Sequence, residues 1–139
     1  MTPAEMKALA GRVLDELWAH GNVGVADEIY AADYVAHNPG AGGPGRAGVQ
    51  ASVQSMRGVF PDLKIIEADY VVEGDKVFTR YVAAGTHRGS MLGEAPTGKT
   101  VQMSGMNLSR IANGKVVEGW DEFDMVGIMM QLGMMPGGE

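Results

Sequence analysis

Apolar residues near the start of the chain recur at a helical period: Met6, Leu9, Ala10, Val13, Leu14 and Leu17 share one face. Thr2, Pro3 and Glu5 stand where an N-cap, a first-turn proline and a capping-box acid belong, so a helix starts there and ends near Gly21. A second, short helix follows Asn22-Val23-Gly24, with Val25, Ile29 and Tyr30 on one side. Asp33–Pro39 reads as an extended segment running into a loop, since proline holds the preceding residue extended. Val49, Val53, Met56 and Phe60 predict a third helix over Val49–Val59, stopped by Pro61-Asp62. The period then changes from helical to alternating. Leu63–Val72 and Val77–Gly85 are strands joined at Glu73-Gly74-Asp75-Lys76, and a long loop, Thr86–Gly98, follows. Val101–Ile111 and Lys115–Asp124 flank Ala112-Asn113-Gly114, and Asn-Gly between two β-compatible runs is the strongest short-range hairpin signal. Met125–Leu132 is a closing helix. Helices first and about four antiparallel strands afterwards make an α+β domain. The expected form is a cone: a curved antiparallel sheet wraps the N-terminal helices and leaves a pocket at its open end.

The last strand carries the candidate chemistry. Side chains alternate faces along a strand, so Val117, Gly119, Asp121 and Phe123 point one way and Glu118, Trp120, Glu122 and Asp124 the other. A carboxylate sharing a face with Val, Gly and Phe either lines a cavity or is a surface acid paired with Lys or Arg. In a cavity, desolvation by Val117 and Phe123 would raise its pKa and bring its basicity toward working pH. Asn107, on the partner strand, is a candidate donor to a substrate oxyanion, or a polar strand residue satisfied by backbone. His37 is a proton shuttle at the mouth or a turn-capping histidine. His87, in Gly85-Thr-His-Arg-Gly89, is a mouth-lining or a solvent-exposed loop residue. Tyr34 and Phe60 are candidate apolar wall. Trp18 and Trp120 read as core or interface anchors, and Arg80 as the partner of one of the acids on the Trp120 face.

Composition narrows the classes. The 139 residues fit a single domain spanning the whole chain. A net charge of -6 with no basic stripe argues against nucleic acid. There is no cysteine, hence no disulfide framework or thiolate chemistry. No signal peptide is visible, and apolar runs fall far below the ~20 residues of a membrane span, so a cytoplasmic protein without membrane association is expected. The three histidines, His20, His37 and His87, lack metal-ligand spacing, and neither metal nor cofactor is expected. The glycine-rich Gly40–Gly48 matches no phosphate-loop or dinucleotide fingerprint and reads as a flap over the pocket mouth. The methionines at Met125, Met129, Met130, Met134 and Met135 suit core packing at a helix end, or an adaptable pocket rim.

An ordered set of short motifs carries a family resemblance. Asp33-Tyr-Val-Ala-His-Asn-Pro39, Phe60-Pro-Asp-Leu63, Glu73-Gly-Asp75, Gly85-Thr-His-Arg-Gly89, Pro96-Thr-Gly-Lys99, Asn113-Gly-Lys-Val-Val-Glu-Gly-Trp-Asp121 and Gln131-Leu-Gly133 span nearly the whole chain. In this set the chain resembles the SnoaL-like polyketide (ester) cyclases of the nuclear-transport-factor-2-like superfamily. The resemblance implies a cone-shaped α+β barrel. It also implies closure of a ring in an aromatic polyketide methyl ester by intramolecular aldol condensation, without metal or cofactor. The aspartate directly after the motif tryptophan, here Asp121, would be the acid/base. Where such cyclases tend to carry Gln and His on the preceding strand, this chain has Gly105 and Asn107; two positions before the aspartate, often His, it has Gly119. Gly105, Gly119 and Phe123 are therefore candidate substrate-binding positions beside Tyr34, Phe60 and His87, and Asp121, His37 and Asn107 the catalytic candidates. The expected partner is a small hydrophobic, polyketide-like molecule, and the expected assembly a homodimer or homotetramer through the outer face of the sheet. Isomerisation, hydration or hydroxylation on the same scaffold, and a non-catalytic ligand-binding module, are the alternatives. An enzyme requires a donor or base within hydrogen-bond reach of Asp121; a binder does not.

Overall fold

The computed structural model describes residues 1–38 and 42–134. Helix α1 spans Pro3–Arg12 behind a complete capping box: Glu5 N–H donates to Thr2 Oγ1 at 3.1 Å and Thr2 N–H to Glu5 Oε1 at 2.8 Å. The chain then continues as a π-helical stretch, Val13–Ala19, rather than one regular helix to Gly21. Arg57 closes it by donating to the carbonyls of Trp18 and Ala19 at 3.0 and 2.8 Å, groups a helix end leaves without partners. A short 3₁₀ turn, Val23–Val25, and α2, Ala26–Ile29, lead into strand β1, Tyr30–Ala36. Helix α3 covers Gly45–Val59, four residues more at its start than the hydrophobic period indicates. The expected Gly40–Gly48 flap is thereby divided: residues 40–41 lie outside the described residues, and Gly45–Gly48 is the first turn of α3. Strands β2 (Lys64–Glu73), β3 (Lys76–Thr86), β4 (Thr100–Ala112) and β5 (Lys115–Phe123) precede helix α4, Met125–Leu132.

The architecture is the expected α+β cone, with two differences in the sheet. Five strands take part, in the order β1-β5-β4-β3-β2, and β1 runs parallel to β5, so the sheet is mixed rather than antiparallel throughout. Strands β1 and β2 are its two edges, so it curves without closing into a barrel. The β4–β5 hairpin turns at Asn113-Gly114, both at positive φ (53° and 76°), between the paired Ala112 and Lys115. That is a type I′ turn, the form whose twist suits a two-residue hairpin.

A bulge then changes one face assignment. Arg110 pairs with Glu118 but Ile111 pairs with Val116, leaving Val117 as the extra residue on β5. Val116, not Val117, therefore takes the inward position behind Gly119, Asp121 and Phe123, and it is buried while Val117 is only partly so. The expectation that Val117 desolvates Asp121 is corrected accordingly.

The core forms two clusters. One joins α1, the π-helical stretch, α2, β1, α3 and β5 through Leu9, Leu17, Ile29, Tyr34, Val53 and Val116. The other lies under α4 and includes Phe60, Leu63, Ala83, Met103, Ile128 and Leu132. Trp18 packs against both. Asp62 pins the second cluster's edge by accepting from Thr86 N–H and Oγ1, both at 2.7 Å, and these bonds hold its carboxyl below the ordinary range. Residues of both clusters line a cavity between them, and that cavity is the candidate site.

Candidate active site

A cavity of about 340 Å³ lies over the inner face of the sheet, walled by the π-helical stretch, β1, the start of α3 and the inward residues of β3, β4 and β5. Its lining is mainly apolar, with a polar strip of Thr79, Asn107, Ser109 and Asp121. Asp121 is the one ionisable acid among the described lining residues, and no Lys, Arg or His lines it.

Register explains this strip. Thr79 pairs with Asn107 and Asn107 with Asp121, so three inward side chains stand in one row across β3, β4 and β5. Asn107 Nδ2 donates to Asp121 Oδ1 at 2.8 Å and, more weakly, to the Trp120 carbonyl at 3.4 Å. Ser109 Oγ donates to Asn107 Oδ1 at 2.6 Å, which fixes the amide's orientation. The backbone of Asp121 is clamped as well: its N–H donates to Asn38 Oδ1 at 2.8 Å, and Asn38 Nδ2 donates to its carbonyl. Asn38 thus extends β1 by one side-chain-made pair.

Asp121 is exposed in the sense that the hollow is wide enough to admit water to it. It is nevertheless part of the cavity wall, hydrogen-bonded to Asn107 and Asn38. Its carboxyl is raised above the ordinary aspartate value, first by desolvation; the Asn107 bond opposes this and the charge of Glu122 adds to it.

The structure brings four of the sequence-derived candidates to the cavity wall: Asp121, Asn107, Tyr34 and Phe123. Asn107 differs in its partner, since its amide is engaged with the carboxylate and not free for an oxyanion. Gly105 and Gly119 lie beneath two tyrosines. A methyl carbon on Gly105 would overlap the Tyr81 hydroxyl, and one on Gly119 would sit 2.8 Å from the Tyr34 hydroxyl.

The remaining three lie elsewhere. His37 is on the outer face of the sheet, stacked on Trp120 with ring centroids 4.4 Å apart and planes 8° from parallel, with Nε2 2.8 Å from Glu118 Oε2. Arg110 holds the other oxygen of Glu118 at 2.6 Å, and the two partners, Arg110 foremost, keep that carboxyl low. His37 is drawn out by this hydrogen-bonded, stacked position and is not among the residues that line the cavity. Phe60 is fully buried in the second cluster, its ring covering Gly85. His87 is neither exposed nor mouth-lining but 0 % accessible: Nδ1 accepts from Thr97 N–H at 3.2 Å and lies 3.0 Å from Thr97 Oγ1. Arg80 pairs with Asp69 at 2.5 Å and Glu67 at 3.3 Å on β2, not with the acids beside Trp120.

Residue patterning missed Tyr81, Tyr30, Asn38 and Ser109 as lining groups. Alternation with Val77 and Ala83 was the available signal for Tyr81; for Asn38 it was the Asn-Pro that follows a strand. No group of His, Cys, Asp or Glu able to hold a metal ion occurs among the described residues, and none of their helices is long and apolar enough to cross a membrane.

Known proteins share this architecture. TsrD from Streptomyces laurentii superposes with a TM-score of 0.86 at 27% identity, over 97% of this chain and 99% of that one. IdmH from Streptomyces antibioticus, a candidate polyketide cyclase, gives 0.81 at 33% identity, over 96% and 99%. AclR from Streptomyces galilaeus, a candidate hydroxylase, gives 0.85 at 27%, over 97% and 89%. No curated protein matches the chain. The profile of the SnoaL-like polyketide cyclases matches residues 8–132, and the chain belongs to that family.

Proposed function

We propose that this protein catalyses cofactor-independent acid/base chemistry at a carbon beside a carbonyl: intramolecular aldol-type ring closure of a small, hydrophobic, polyketide-like substrate. Asp121 is the base and then the acid. The observation that carries this reading is a lone, desolvated carboxylate in an apolar cavity, oriented by Asn107 through its side chain and by Asn38 through its backbone.

The carboxylate takes a proton from the carbon, giving an enolate and a neutral carboxylic acid. The enolate carbon forms the new C–C bond to a second carbonyl carbon, whose π pair moves to oxygen. That alkoxide takes the proton back from Asp121, so the enzyme ends as it began. The raised pKa strengthens Asp121 as a base without a cation to oppose it. Holding the reacting groups in one small, mainly apolar volume supplies the remainder through proximity. The Asn107 bond to the carboxylate favours an enzyme over a passive binder, because a binder has no use for an oriented base in an apolar hollow.

Enolisation is testable without the natural substrate. The protein is expected to accelerate exchange of the α-hydrogens of 2-tetralone for deuterium in heavy water, followed by proton NMR. Asp121→Asn should lose at least about a hundredfold of that acceleration, the usual scale for a positioned general base. Wild-type-like exchange in a folded Asp121→Asn protein refutes the assignment.

A further inference from the structure

Of the three tyrosines that line the cavity, two reach over inward glycines beside Asp121 and have no assigned part. Tyr34 comes from β1 and Tyr81 from β3, and each lays its hydroxyl over an inward glycine of a neighbouring strand: Gly119 on β5 and Gly105 on β4. Gly119 precedes Asp121 by two residues. Gly105 precedes Asn107 by two on the antiparallel strand and pairs with Phe123, beyond Asp121. The glycines therefore fall on opposite sides of the Asp121–Asn107 pair, each one inward position away, roughly 6.5–7 Å along the strand.

Both tyrosines line the cavity, no side-chain hydrogen bond among the described residues engages either hydroxyl, and neither oxygen is sealed from the hollow. A phenol O–H in an apolar hollow with no protein partner is a donor awaiting an acceptor. Burial first, and the Asp121 charge second, raise both groups: Tyr81 is pushed up to about 12, and Tyr34 higher still. They stay protonated at neutral pH and serve as donors rather than bases.

We infer that the Tyr34 and Tyr81 hydroxyls are hydrogen-bond donors to two substrate carbonyl oxygens, one on either side of Asp121, so that the site takes a dicarbonyl compound whose reacting carbon lies over the carboxylate. The inference rests on the proposed aldol-type reading and completes it. That reaction develops negative charge on two oxygens in turn, first the enolate and then the alkoxide, and each needs a fixed donor. Asn107 supplies neither, since its amide is held by the carboxylate. The phenols transfer no proton; Asp121 returns the one it took.

The test uses 2-tetralone labelled with ¹³C at the carbonyl, because a ketone accepts hydrogen bonds and offers none to Asp121. Donation from a phenol deshields the carbonyl carbon. The bound resonance is expected downfield of the free one, to move back toward it in Tyr34→Phe or Tyr81→Phe, and to lose the displacement in the double variant. In Asp121→Asn it should persist while deuterium exchange is lost, which separates the donors from the base. Gly105→Ala keeps both hydroxyls but pushes that of Tyr81 aside, and should reproduce the Tyr81→Phe shift. Folding of each variant is checked by circular dichroism. A bound carbonyl resonance that is identical in wild type and a folded double variant overturns the inference, whatever the exchange rates. Tyrosine-dependent displacement without wild-type exchange leaves the donors standing and removes the base.

Discussion

Asn107→Leu removes the amide that hydrogen-bonds the Asp121 carboxylate and leaves a side chain of similar size. Two effects act on that carboxyl in opposite directions, desolvation raising its pKa and the Asn107 bond lowering it. Deleting the second leaves the first unopposed. A hydrogen bond to a charged group contributes about 1.5–3 kcal/mol. Water enters the hollow and screens part of this, so the low end applies, about 1.5 kcal/mol, or roughly tenfold in the ionisation equilibrium. The assay is the pH profile of 2-tetralone deuterium exchange. The base acts only when ionised, so the rate rises with pH through the Asp121 pKa, and in Asn107→Leu this acid limb moves to higher pH. Stability gives an independent sign. A carboxyl whose pKa is higher folded than unfolded binds more protons in the native state, so stability falls as pH rises from the unfolded to the folded value. In the variant that fall extends to higher pH. An acid limb that stays put, or moves to lower pH, in a folded variant refutes the account of how Asn107 tunes the base.

Two further outcomes follow from packing. Gly85→Ala places a methyl carbon 2.7 Å from Phe60 Cβ, at the rigid base of a fully buried ring, and should cost about 1–3 kcal/mol in urea unfolding; an unchanged midpoint would show that the second core cluster yields freely there. On the outer face of the sheet, Val71 and Met106 are 62% and 49% exposed. If that face joins subunits, Met106→Lys should shift the protein to monomer by light scattering, and an unchanged oligomeric mass removes this face as the interface.

Much of the site was legible because it follows from local rules. Asn113-Gly114 fixes the hairpin, the hairpin fixes which β5 residues face inward, and Asp121 is among them. The capping box and the stop at Pro61 are equally local. What stayed hidden depends on register or on distant partners. The bulge at Val117 has no marker in the sequence, since any residue serves as the extra one. Strand β1 lacks a clean alternation, burying Tyr30 and Tyr34 with three residues between them, so it does not read as a member of the sheet. In the first turn of α3, Gly45 and Gly48 mask the helical propensity of Arg46 and Ala47, yet Gly48 is required because a methyl carbon there would overlap the Gly43 carbonyl. His87 sits among glycine and arginine in a stretch that looks solvated, and only the fold of the Thr86–Thr100 connection back onto Thr97 buries it.

The glycines at 105 and 119 show why a pocket is better read by volume than by position. Taken along the chain, they are losses: the resemblance leads one to expect polar side chains there, and the sequence supplies none. Taken in space, the vacated volume is occupied from the neighbouring strands, by the Tyr81 hydroxyl in one case and the Tyr34 hydroxyl in the other. A glycine and a tyrosine on adjacent strands thus act as one unit: the small residue makes room and the large one brings its polar tip over it. The exchange also alters chemistry, because a phenol held in an apolar hollow donates and does not readily give up its proton, whereas an imidazole in the same place would also carry one away. On the proposed reading, Asp121 is then left as the group that moves protons, as a reaction ending in the protonation state where it began requires.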